Sequence, residues 1–147
     1  MYVENILAQK DDRIWSIEPD ASVYEALLMM DRRDIGALLV IQNDSLIGIL
    51  SERDYARKII IKGKSSKETL VKEVMTKDVC YVDKKKKVDE CLAIMSDKRI
   101  RHLPVMENNE LIGLISIGDV VKSIISEQEI VIDDLYNYIH GVYYTPH

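Results

Sequence analysis

The feature that most restricts the fold is a repetition at one fixed spacing. Shifted by 65 residues against itself without a gap, the chain aligns 14–60 with 79–125, and 15 of the 47 aligned positions are identical. The pairs run from Val23/Val88 and Glu25/Glu90 through Leu38/Leu103 and Gly48/Gly113 to Ser51/Ser116, Asp54/Asp119 and Ile60/Ile125. Compositional bias scatters matches; it does not hold them in register through two polar turns. The 147 residues are therefore read as an internal duplication, and the fold as one unit used twice.

Each copy carries the same order of signals. Residues 14–17 and 79–82 are short β-prone runs. In the first copy "SVYE" (Ser22–Glu25) is a capping box, followed at helical spacing by Val23, Ala26, Leu27 and Met30. The second copy repeats that stripe with Val88, Cys91, Leu92 and Met95, without the serine. Next, "ALLVI" and "HLPVM" lead through the polar turns "QNDS" and "ENNE" into "LIGILS" and "LIGLIS", which reads as a β-hairpin in each copy. A second helix begins after Ser51 and after Ser116.

The predicted class is α+β, with strand-helix-strand-strand-helix occurring twice. One such half cannot cover its own apolar sheet face, so the copies are expected to pack about a pseudo-twofold axis. The expected division is 1–66 for the first repeat with its N-terminal segment, 67–129 for the second, and 130–147 for a C-terminal helix and tail. The stretch "KGKSSKETLVKEVMT" reads as the connector, and Ile132, Leu135, Tyr136 and Ile139 as an amphipathic helix stopped near Gly141.

Composition narrows the function classes. With 47% hydrophobic and 31% charged residues the chain is ordinary globular material. A net charge of −5 is poorly matched to a polyanion, so nucleic-acid binding is disfavoured. No apolar run approaches the roughly 20 residues of a membrane span, and "MYVENILAQKDDR" lacks a secretory pattern, so a cytoplasmic location is expected. Cys80 and Cys91 form no metal spacing; reduced thiols are the simplest reading, and a disulfide between them stays open. "KGKSS" does not fit a phosphate-gripping glycine loop, and no nucleophile-base pair or metal motif stands out, so neither an enzyme nor a catalytic cofactor is expected.

The motif that remains is Ser-x-x-Asp after an apolar strand, at Ser51/Asp54 and again at Ser116/Asp119. One reading is a capping box. The other is a ligand site: a helix N-terminus is an anion site, and a carboxylate suits a ribose diol. The readings are compatible. Arg53 is a cation in a first helical turn, which suits either a solvated surface or phosphate pairing. The second copy has Gly118 there and Ile117 in place of Glu52, so the two sites are expected to be chemically unequal, with the Asp54 side more phosphate-friendly. In "KRIRHLPV" (Lys98–Val105), His102 reads as a structural polar residue or a ligand group, beside Arg99 and Arg101 and before Leu103 and Pro104. Gly36 and Ala37, the smaller counterparts, suit close approach of a flat base or simple tight packing. "DKKKK" (Asp83–Lys87) reads as a solvated loop or an anion-attracting one. Tyr138, Tyr143 and Tyr144 read as dimer cover, core or disordered tail.

Taken together, the duplication, "VKEVMT", "RHLPV", "ILSERDYARKI" and "LIGLISIGD" resemble a tandem CBS (cystathionine β-synthase) domain pair, a Bateman module, over about residues 6–127. The likeness is greatest to the small stand-alone prokaryotic members. It implies two clefts between the repeats that take adenosine compounds: AMP, ADP, ATP, an NAD-type dinucleotide or S-adenosylmethionine. It assigns Asp54 and Asp119 to ribose, Ser51 and Ser116 to the phosphate side, and Arg101, His102, Leu103 and Pro104 to a cleft wall. It also implies that Ser16 and Ile17 join Asp119, that Tyr81 and Val82 join Asp54, and that two pairs form a homodimer, a flat disc in many relatives. The function so implied is a non-catalytic energy or metabolite sensor read by a protein target. The alternative is a protein-docking or nucleic-acid-binding module without a nucleotide.

Overall fold

The computed structural model describes residues 1–11 and 13–141. Its elements run α1 (Val3–Gln9), β1 (Ser16–Ile17), α2 (Val23–Arg33), β2 (Ala37–Gln42), β3 (Ser45–Ser51) and α3 (Glu52–Tyr55), which continues as a π-helical turn over Ala56–Ile60. They continue with α4 (Val71–Val74), α5 (Val88–Lys98), β4 (His102–Glu107), β5 (Glu110–Ser116) and α6 (Ile117–His140). The class is α+β. One compact unit is Arg13–Tyr81; the other takes the described residues of Met1–Asp12 and Val82–His147.

In the unit Arg13–Tyr81, the Ser22 hydroxyl caps α2 by accepting the Glu25 N–H at 3.1 Å. The helix buries Val23, Ala26 and Met30 and ends at Asp34 in the left-handed region, φ 53°. Strand β2 pairs antiparallel with β3 and parallel with β1. The hairpin turns at Asn43 and Asp44, φ 52° and 62°. Two successive positive φ values make the turn type that matches strand twist, and Asn and Asp tolerate them. The core joins Ile17, Leu38, Val40, Leu50 and Ile59 to Val71 and Val74 of α4. The second half of the expected connector is thus structural: Val71 N–H donates to the Ala21 carbonyl at 2.8 Å, and Thr76 and Ile49 exchange backbone hydrogen bonds of 2.9 and 3.0 Å. Gly48 permits this approach, since a Cβ there would come within 2.5 Å of Met75 Sδ.

The other unit repeats these devices. Helix α5 buries Val88, Cys91 and Met95, has no side-chain cap, and ends at Arg99 with φ 55°. The β4–β5 hairpin turns at Asn108 and Asn109, φ 51° and 62°, and its bulge between Val105 and Met106 matches one between Val40 and Ile41. The β-prone run 79–82 is reduced to a single parallel bridge, Val82 with Val105. The cause is Pro104. Its counterpart Leu39 donates an N–H to the Trp15 carbonyl at 3.4 Å, and proline has no N–H to give.

The N-terminal segment packs with the second copy, not with the first as the 1–66 boundary expected. Val3 and Glu4 donate N–H groups to the Lys86 and Lys84 carbonyls at 2.9 and 3.0 Å, and Val88 donates to Met1 at 3.0 Å. Val71, Lys72 and Val23 make the same three bonds to Ala21, Pro19 and Thr69 in the other unit. Leu7 fills the role of Met75, lying 2.6 Å from where a Cβ on Gly113 would stand. Burial of Val3 and Ile6 holds the segment in place. The expected break at 129/130 is also absent: α6 runs 24 residues without interruption to a left-handed cap at Gly141, φ 68°. Tyr143 and Tyr144 lie outside the described residues.

Candidate functional site

Both Ser-x-x-Asp motifs fold as reciprocal caps at a strand-to-helix corner. In the unit Arg13–Tyr81, Ser51 closes β3 opposite Ala37, and Glu52 N–H donates to the Gly36 carbonyl at 3.0 Å. The Ser51 hydroxyl accepts the Asp54 N–H at 3.2 Å, while Asp54 Oδ2 accepts the Ser51 N–H at 3.0 Å and its hydroxyl at 3.2 Å. Asp54 Oδ1 accepts from Lys58 Nζ at 3.1 Å and from the Thr76 hydroxyl at 3.5 Å. Lys58 is fixed in turn by the Val74 carbonyl at 2.8 Å. Both oxygens of this carboxylate are engaged.

The corner at Ser116 has the same frame and different surroundings. Ser116 pairs with His102 across β4–β5, and Ile117 N–H donates to the Arg101 carbonyl at 2.8 Å. The Ser116 hydroxyl accepts the Asp119 N–H at 3.2 Å. The hydrogen bonds described for Asp119 converge on Oδ2, from Ser116 N–H at 2.8 Å and Lys10 Nζ at 2.7 Å. Lys10 also donates to the Leu114 carbonyl at 2.8 Å. The space beside Gly118 at the start of α6 is open: among the described residues a Cβ there would meet Ser116 Oγ alone, at 3.6 Å. Negative charge of a bound group is favoured at such a helix start.

Charge at this corner is tuned. Desolvation pushes the Asp119 carboxyl up, but the bonds from Lys10 and Ser116 outweigh it and hold the group below its ordinary 3.8. Burial first, then the charges of Lys10 and Arg101, lower His102 below its ordinary 6.5 against the pull of Asp119. The unfolded chain therefore protonates at His102 before the folded one, and stability declines as pH falls through 6.5. The Asp119 contribution is intact above 3.8 and is lost only as pH falls through its depressed value. Urea midpoints between about pH 7 and 5 should accordingly decline less in His102→Gln than in the parent chain. Equal declines would assign the slope to another group.

Of the residues singled out in the sequence, Ser16, Ile17, Gly36, Ala37, Ser51, Arg53, Asp54 and Tyr81 lie in one unit; Val82, Arg101, His102, Leu103, Pro104, Ser116, Gly118 and Asp119 lie in the other. Ala37 and Leu103 are buried, whereas Tyr81 is exposed. Lys58, Thr76 and Lys10 were not anticipated. Lys58 stands four residues after Asp54, a helical ion-pair spacing readable in the sequence; Lys10 is 109 residues from Asp119 and carries no such signal. Three of the four lysines in the run are partnered within their own unit, Lys84 with Glu107, Lys85 with Glu4 and Lys86 with Glu90. Both cysteines are free thiols, and burial pushes Cys91 up to about 11. An open concavity of about 440 Å³ is lined by Pro19, Asp20, Gln42, Ile47, Lys72, Met75 and Lys77, none of them an anticipated site residue. Among the described residues no helix is long and apolar enough to cross a membrane.

Comparison with known proteins is consistent in kind. The family model "CBS domain" matches residues 6–61 and again 71–126. The chain is 41% identical over 129 residues to the CBS domain-containing protein CBSX3, mitochondrial, of Arabidopsis thaliana, covering 84% of this chain and 63% of that protein, so it spans under two thirds of the relative's length. It is similar to the structure of a protein with CBS domains from Burkholderia ambifaria, with a TM-score of 0.84, 46% identity, and coverage of 87% of this chain and 96% of that one. A more distant likeness, of fold alone, is to the CBS domain pair of protein MJ0100 in complex with 5'-methylthioadenosine and S-adenosyl-L-methionine, with a TM-score of 0.76 and 21% identity over 86% of this chain and 98% of that one.

Proposed function

Because the chain belongs to the CBS-domain family, as a tandem pair, we propose that it is a non-catalytic regulatory module binding an adenosine nucleotide at its two Ser-x-x-Asp corners. The ligand class is AMP, ADP, ATP or an NAD-type dinucleotide, held as a regulatory ligand and not as a catalytic cofactor. Asp119 and Asp54 accept the ribose diol, while Ser116, Ser51 and the helix starts face phosphate. Arg53 adds a phosphate partner at the first corner; Arg101 and His102 line the second. The working form is a cytoplasmic homodimer whose state is read by a protein target.

The observation that carries this reading is the corner itself, built twice at an offset of 65 with a serine hydroxyl and a carboxylate at the head of a helix. The adenosine compounds bound by the distant structural neighbour support the ligand class. The difference between the corners supports unequal affinities, since one aspartate is bonded through both oxygens and the other through Oδ2. A sensor needs its ligand to prefer one conformational state.

A thermal-melt panel on ligand-stripped protein tests the proposal, with AMP, ADP, ATP, NAD, S-adenosylmethionine, GTP and buffer. An adenosine ligand at about 100 times its dissociation constant should stabilise the fold by about 2.7 kcal/mol, a shift of several degrees, with GTP inert. No shift with any adenosine compound would leave both motifs as helix caps and the chain as a protein-docking module. The pairing of Lys84, Lys85 and Lys86 with glutamates weighs against a nucleic-acid role.

A further inference from the structure

The part of α6 from Ile125 onward stands outside the nucleotide reading. Its apolar side chains Ile125, Ile132, Leu135 and Ile139 are 52%, 64%, 57% and 66% exposed. With Gln128 they recur at intervals of three and four residues, which is the 3.5-residue period of a coiled-coil seam, and Val131 and Tyr138 widen the same stripe. We propose that this helix is a self-association element, pairing in parallel and in register with α6 of a second copy of the chain.

Four observations favour a second copy over another occupant. Ile125, Ile132 and Ile139 take one seam position and Leu135 the other, the combination that selects parallel two-stranded pairing. Gln128, the polar residue in the seam, meets its own copy only when the helices are in register. At roughly 60–120 Å² for each buried apolar side chain, the six apolar residues of the seam and its flanks cover roughly 350–700 Å² per copy, approaching the ~800 Å² per partner in a standard interface. Finally, Glu127, Glu129, Asp133 and Asp134 make this part of the helix acidic, which disfavours an anionic lipid surface.

The helix is also encoded as a helix to its end. Gly141 supplies the left-handed stop, its N–H reaching the Tyr138 carbonyl at 3.4 Å, and the His140 ring stacks on Tyr136 at 4.1 Å. The stretch from Ile125 to His140 is little longer than the ~12–15 residues below which an isolated helix is marginal in water. Burial against an equal helix supplies what it lacks.

The test is disulfide trapping in the purified 147-residue chain without nucleotide, so that its failure leaves the nucleotide proposal standing. Leu135→Cys should form a disulfide-linked dimer under mild oxidation at least about tenfold faster than Asn137→Cys, which lies on the opposite face of the helix, or than the parent chain with Cys80 and Cys91 alone. Adding Ile132→Asp to Leu135→Cys should abolish the crosslink while leaving the melting temperature of the body within a degree or two. Equal trapping at 135 and 137, no trapping at 135, or trapping that survives Ile132→Asp would overturn the proposal.

Discussion

Leu38→Ala should cost about 2–5 kcal/mol of stability, and Leu103→Ala about as much. The two residues are counterparts 65 positions apart, each fully buried near the open end of its hairpin. Truncation removes the transfer free energy of the side chain and leaves a cavity that two paired strands have little freedom to close. At about 2–4 °C per kcal/mol for a chain of this size, each variant should melt roughly 4–20 °C lower. Ile130→Ala, at a site 59% exposed, serves as the control and should change the body by no more than about 0.5 kcal/mol. Because the leucines lie in different compact units, the pair also reads cooperativity. If each variant splits the transition in two, the units unfold separately; a single lowered transition means they unfold together. Midpoints unchanged in both variants would remove these residues from the core.

Much of this fold was legible because its determinants are local. The Ser22 cap, the helical stripe from Val23 to Met30, the Asn-led turns and the Gly141 stop each act within a few residues. The duplication then doubled every signal. What escaped was non-local or masked. The segment 1–9 is the counterpart of 69–77, but its offset is 68 instead of 65, so an ungapped comparison passes over Val3/Val71. That it packs on the second copy is a matter of chain tracing, which no periodicity reports. Pro104 stands within β4, and its effect falls on the neighbouring strand, whose carbonyl loses a donor. At the sites, the Ser-x-x-Asp spacing revealed both caps. It did not reveal which cation each carboxylate holds: Lys58 is supplied by the same helix-like turn, whereas Lys10 arrives from the other end of the sequence.

That difference in cations sets the last expectation. Asp119→Asn should raise the dissociation constant of the adenosine ligand by about 10- to 150-fold, the equivalent of one hydrogen-bonding charge, while Asp54→Asn should have a smaller effect. Asparagine is chosen because its carbonyl still accepts the Ser116 or Ser51 N–H, so each corner remains capped. The pairing of Lys10 with Asp119 is partly exposed, so its loss should lower the unliganded melting temperature only slightly. At Asp54 a diol must displace Lys58 or Thr76 from Oδ1 before it gains an acceptor, so less binding free energy depends on that carboxylate. Calorimetric titration of the two variants beside the parent measures both constants. The reverse order, with Asp54→Asn the more damaging, would mean that Lys58 and Thr76 move aside and Arg53 dominates through phosphate. Unchanged affinity in both variants would mean that the carboxylates only cap helices, and the ribose role assigned to them would be abandoned.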